Sequence, residues 1–100
     1  MYKFLKLKKA TDGKHKYEAI FLNTETNREK TVKFGASGYE DFTIHKDEKR
    51  KERYIKRHDK REDFENPISP GSLSRYILWN KPTIEDSLKD YLNKFNKKLI

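Results

Sequence analysis

From Thr83 onward, Ile84, Leu88, Tyr91, Leu92 and Phe95 recur at i, i+4, i+7, i+8 and i+11. That spacing lines one face of an α-helix and is incompatible with a strand. Thr83 serves as N-cap, with Glu85 and Asp86 complementing the positive helix end, and Pro82 separates this helix from the one before. The earlier helix begins with Ser69 as N-cap and Pro70 at N1, carries Leu73, Tyr76, Ile77 and Trp79, and ends at Asn80. Two short helices joined by Asn80-Lys81-Pro82 form a corner whose aromatic inner faces need a further surface to bury against. Supplying that surface is the constraint on everything upstream.

Residues 2–8 and 16–22 read as strands, and the Asp12-Gly13 pair between them is a hairpin signal, because glycine accepts positive φ. Tyr17, Ala19 and Phe21 alternate with Lys16, Glu18 and Ile20, as in a sheet covered on one side. A turn over 23–28 then leads to a third strand, Thr31-Val32-Lys33-Phe34. The segment Tyr39 to Ile44 reads as extended. The expected fold is therefore α+β in a single domain, 1–100. A three- to four-stranded antiparallel meander over 2–44 is packed against three helices near 47–58, 70–79 and 84–95, within a helical part spanning 45–100.

A chain of 100 residues with 40% charged and 33% hydrophobic residues has little apolar material, yet six Phe, six Tyr and one Trp supply enough aromatic area for a core. No cysteine is present, which excludes disulfides and thiolate metal sites and fits a reducing compartment. Lysines interrupt the apolar residues at the N-terminus, so neither a signal peptide nor a membrane span is expected. The net charge of +8 favours acidic partners.

The charge is organised between Lys46 and Asn66. On a helix from Asp47 to about Arg61, Tyr54, Ile55 and His58 form a docking edge, with Glu48, Glu52 and Asp59 beside it. Lys46, Lys49, Arg50, Arg53, Lys56, Arg57, Lys60 and Arg61 fill the remaining sector as a basic ridge, the candidate site for a partner or for phosphates. The pairs Asp47–Lys51 and Glu52–Lys56 are spaced to support the helix. Charge runs of this kind also occur as solvated faces without a partner.

Other constellations are weak. Gly35-Ala36-Ser37-Gly38 has the glycine spacing of the KH-domain GXXG loop, but it follows a strand and not a helix, which favours a turn needing positive φ. No Gly-Lys-Ser/Thr follows, so it is no P-loop. His15, His45 and His58 have no second ligand at i+3 or i+4, so no metal or cofactor is expected. His58, Asp59, Ser72 and Ser74 lack the geometry of a triad, and the carboxylates are interleaved with cations as in surface ion pairs. No catalytic residue and no small-molecule substrate are assigned.

Three blocks, Phe34 to Asp47, Arg53 to His58 and Gly71 to Pro82, together resemble a family of small uncharacterised proteins encoded by large nucleocytoplasmic DNA viruses of algae and protists. The likeness spans roughly residues 15 to 95. Phe64 stands where a tryptophan is expected before Asn66-Pro67, and Tyr76 where a larger ring is usual. The resemblance implies a viral setting and no activity. It leads to a first expectation of a small virion component, a minor capsid or cementing protein, found in the virion and, during assembly, in host cytoplasm or nucleus. On that reading the ridge meets acidic capsid loops or packaged DNA, and Leu99 and Ile100 insert into a partner; the abundance of Tyr, Phe and Arg suits an interface. The alternative is sequence-nonspecific nucleic-acid binding through Lys49, Arg53, Lys56, Arg57 and Lys60.

Overall fold

The computed structural model describes residues 1–60 and 64–99. Strands β1 (Tyr2–Lys9), β2 (His15–Asn23) and β3 (Arg28–Ala36) form an antiparallel sheet in the order β1-β2-β3. Helices follow: α1 (Phe42–His45), α2 (Glu48–Asp59), α3 (Pro70–Leu73) continued by a π-helical turn (Ser74–Leu78), and α4 (Ile84–Lys94). The α+β arrangement, with strands packed against C-terminal helices, is as the sequence predicts.

The strand pattern of β1 contains an irregularity that builds the core. Phe4 pairs with Phe21 but Lys6 with Ile20, leaving Leu5 as the extra residue of a bulge. Without that insertion Phe4 and Leu7 would point to opposite faces; with it, Tyr2, Phe4 and Leu7 all pack on the core while Leu5 is exposed. Tyr17, Ala19 and Phe21 of β2 face inward with Val32 and Phe34 of β3. The reverse face is not simply wet. Glu18 and Ile20 are buried at the sheet centre, with Lys8 and Lys33 flanking Glu18 in the ladder and Lys6 and Thr31 flanking Ile20. Lys8 Nζ lies 3.6 Å from Glu18, and lysine stems can cover such positions while their heads stay in water.

The first hairpin closes through Asp12, whose carboxylate accepts from the backbone N–H groups of Lys14 and His15 and meets His15 Nδ1 at 2.7 Å. The hydrogen bond to the His15 ring, with those backbone bonds, holds this carboxyl well below its usual range. Gly35, next to the last residue of β3, and Gly38, in the turn just beyond it, have φ of +77° and +88°, so both glycines serve a positive-φ strand-to-turn exit, as the setting suggests.

The segment 39–44 does not form a strand. Asp41 accepts from Thr43 N–H at 2.9 Å as an N-cap, and Phe42–His45 winds one helical turn, closed by Lys46 in the left-handed region. The cap chemistry and the burial of Phe42 prevail over strand propensity. The sheet accordingly has three strands. The helix over 70–79 is divided: Ser69 caps Pro70–Leu73, but Ser74–Leu78 widens to a π-turn, with Trp79 N–H bonded to Ser74 O. The C-terminal helix begins at Thr83, whose hydroxyl accepts from Asp86 N–H at 3.2 Å.

Leu73, Ile77, Leu78, Tyr91 and Phe95 join Ala19, Phe21, Val32 and Phe34 in one core cluster, with Trp79 and Leu88 packed against it. Leu99 belongs to the same cluster and forms a parallel bridge with Tyr2. The expectation that Leu99 inserts into a partner is thus overturned: its own sheet edge and helix α4 bury it. Ile100 lies outside the described residues.

Candidate functional site

Helix α2 starts at Asp47, whose carboxylate accepts from Arg50 N–H and Lys49 N–H. Those bonds, Arg50's first, hold the Asp47 carboxyl below its ordinary value. The helix is docked by one edge. Tyr54 is buried and lies parallel to Trp79, with ring centroids 4.3 Å apart and planes 4° from parallel; His58 stacks on the same tyrosine at 4.2 Å. Lys51 turns inward as well, donating to Asn80 O at 2.7 Å and sitting 4.9 Å from the Phe42 ring centre. The predicted Asp47–Lys51 and Glu52–Lys56 ion pairs do not form: Asp47 is spent on the cap and Lys51 on Asn80.

Asn80 ties the docking surface together. It is buried, donating to Tyr76 O and to the Asp90 carboxylate, while Arg75 donates to Trp79 O. The Arg75 guanidinium is partly withdrawn from water, and this desolvation lowers its proton affinity. The carbonyls left over by the end of the π-turn are in this way satisfied by side chains.

At 100° per residue, Lys49, Arg50, Arg53, Lys56, Arg57 and Lys60 fall within a sector of about 120°. Glu48, Glu52 and Asp59 project from the opposite edge and are exposed. Lys49, Arg53, Lys56, Arg57 and Lys60 are also exposed, and none of them has an ion-pair partner among the described residues. Two predicted members depart from the ridge. Lys46 lies before the helix, as the cap of α1, and reaches back to Thr43 O; Arg50 is half-buried and faces Glu40 at 3.9 Å. Arg61 lies outside the described residues.

Beside the ridge is a cleft of about 400 Å³ between α2, the β3–α1 turn and the π-turn. Arg50 and Arg57 line its helix side, Tyr39 and Glu40 the turn side, and Trp79 and Tyr54 its inner wall. A Lys16–Asp41 ion pair of 2.6 Å, almost wholly buried, also lines it. Lys16, Tyr39, Asp41 and Trp79 are absent from the sequence-derived site. They come from three distant segments, and no local spacing marks them as neighbours. Among the described residues there is no group of three or more His, Asp or Glu suited to a metal ion, and no helix long and apolar enough to cross a membrane.

Fold and surface together define a small α+β protein displaying a basic helix face, most of whose cations have no ion-pair partner among the described residues. The chain belongs to a family of unknown function (DUF5754), whose profile matches residues 5–58, from within β1 to the last turn of α2. Neither the curated proteins nor the solved structures contain a match.

Proposed function

We propose that the protein is a non-enzymatic polyanion-binding component whose α2 ridge meets the phosphate backbone of nucleic acid with little regard to sequence. The observation carrying this reading is the set of five exposed cations, Lys49, Arg53, Lys56, Arg57 and Lys60, on one helix face, none of them held in an ion pair among the described residues. Like charges within one Debye length of each other, about 8 Å at physiological salt, repel; a phosphate backbone relieves that repulsion by pairing with them and gains entropy by releasing its own condensed counterions. In the viral setting implied by the sequence resemblance, this makes the protein a small virion component in contact with the packaged genome. The cementing variant of that proposal, with acidic capsid loops as partner, has lost one support, since Leu99 is used inside the domain.

Fluorescence anisotropy of a labelled duplex at 50 and 200 mM salt tests the proposal. Four to five phosphate contacts imply a slope of about −4 in log K against log salt, and Arg53→Glu/Lys56→Glu should weaken binding at least tenfold at the lower salt while flattening that slope. Equal and negligible binding by both proteins removes the nucleic-acid reading. Mass spectrometry of purified particles tests the setting: loss of the protein with digestion of the genome supports genome contact, retention supports cementing, and absence from particles refutes both.

A further inference from the structure

The ridge accounts for one side of α2 and leaves the adjacent cleft without a role. We infer that this cleft is a binding site for one unstacked nucleotide unit of a single strand, its flanking phosphates met by Arg50 and Arg57 and its base laid on Tyr39. The inference deepens the nucleic-acid reading of the ridge and rests on it for the class of partner.

Size and pre-formation come first. A volume of about 400 Å³ lies within the range of small-molecule sites, roughly 300–1,000 Å³. Its walls are rigid. The Tyr54–Trp79 stack forms the back, and the Lys16–Asp41 pair, braced by Thr43 N–H and Oγ1 on the same carboxylate, pins the start of α1 to β2. The back and floor of the cleft are thus set before binding, and the freedom lost is that of the exposed side chains at its rim.

Charge gives the polarity of the ligand. Of the cleft's charged side chains, Lys16 and Asp41 neutralise one another in a tight buried pair, so the accessible balance rests on Arg50, Arg57 and Glu40. Arg57 has no ion-pair partner among the described residues, and the Arg50–Glu40 contact, at 3.9 Å between a half-buried arginine and an exposed carboxylate, is of the weak kind that an incoming anion displaces. Seven residues apart, the two arginines stand about 10 Å from each other along one edge of the helix, a spacing that long, flexible side chains can close onto the two phosphates of a single nucleotide.

Tyr39 supplies the ring. It is 73% exposed, has no aromatic partner among the described residues, and projects from the turn that Gly35 and Gly38 shape by their positive φ. An exposed aromatic at the mouth of a basic cleft is the arrangement on which single-strand binders stack bases. In a duplex those base faces are occupied.

The one tryptophan, Trp79, lines the cleft, so its fluorescence reports occupancy in the intact chain. The titrants are a 15-nucleotide oligothymidylate and a hairpin duplex of matched charge. Tyr39→Ala should weaken single-strand binding about five- to hundredfold and leave duplex binding unchanged, whereas Glu40→Gln should tighten single-strand binding by freeing Arg50. Tyr39 and Glu40 are exposed, so neither change threatens folding, and circular dichroism confirms that. Wild-type affinity for oligothymidylate in Tyr39→Ala overturns the cleft, whatever Arg57→Gln does, since Arg57 also belongs to the ridge. If the ridge variant Arg53→Glu/Lys56→Glu has meanwhile lost duplex binding, the ridge proposal survives that failure. An unaffected ridge variant together with weakened cleft variants keeps the cleft and refutes the ridge. No binding of either oligonucleotide by wild type refutes both.

Discussion

A methyl group at Gly35 would lie 2.7 Å from Cδ1 of Leu78 and 3.2 Å from Cβ of Lys16. Leu78 is buried in the core and cannot swing clear, and φ of +77° already disfavours any side chain there. Gly35→Ala should therefore lower stability by about 2–3 kcal/mol, read as a shift of the urea midpoint. Gly13→Ala is the control, with the same sign of φ but nothing within 4 Å, and should cost only about 1 kcal/mol. Tyr91 poses a different residue-scale question. Its phenol is fully buried and donates to Pro67 O at 2.6 Å, and burial raises its proton affinity well above the ordinary tyrosine value. A raised folded-state value means this contribution is complete below the unfolded value of about 10 and declines as pH rises from there toward the folded value. Tyr91→Phe should cost about 1–2 kcal/mol at neutral pH, by leaving the Pro67 carbonyl unsatisfied, and should remove part of the alkaline decline in stability. Denaturant titrations at pH 7, 9 and 10.5 separate the two effects; parallel curves for both proteins would show that this phenol does not drive the decline.

At the scale of elements, legibility followed how local the determining chemistry is. Helix α4 could be read almost to the residue, because its N-cap, acidic first turn and apolar face all lie within its own stretch of chain. The docking edge of α2 was equally local, and Tyr54 and His58 take their predicted positions. Where determination is non-local, reading failed. Asp41 falls within a segment that reads as extended; its role as the cap of α1 goes with burial beside Lys16, a residue 25 positions away. The bulge at Leu5 is set by the need to turn both Phe4 and Leu7 onto a core made largely by later residues. Nor does anything in Ser74–Leu78 announce a π-turn. Its widened end, with Trp79 against Tyr54 and Asn80 bonded to Asp90, exists only once α2 and α4 are in place. The same distinction separates ridge from cleft: the ridge is a property of one helix, and the cleft is a property of four segments that sequence spacing cannot bring together.

At the scale of the whole molecule, the two ends of the chain close on each other. Leu99 is 6% exposed, packs in the common core, and pairs in parallel with Tyr2 of β1; its N–H is held by Phe95 O at 2.9 Å. The tail therefore meets the first edge of the sheet at one position, bridging Tyr2, and leaves the rest of β1 as an edge strand. If this closure stabilises the domain, Leu99→Ala should lower unfolding free energy by about 2 kcal/mol, the small end of the range for core truncations, because an open groove beside Phe4, Leu92 and Asn96 lets solvent fill the space. The urea midpoint should fall with an unchanged slope, and amide exchange in β1, which Leu99 bridges at Tyr2, should accelerate more than exchange in β3, which lies at the opposite edge of the sheet. A tail reserved for a partner predicts the opposite: an unchanged midpoint in the isolated protein and a loss seen only in assembled particles. The measurement thus separates a domain that is complete in itself, presenting α2 outward, from one that waits for a neighbour to finish its core.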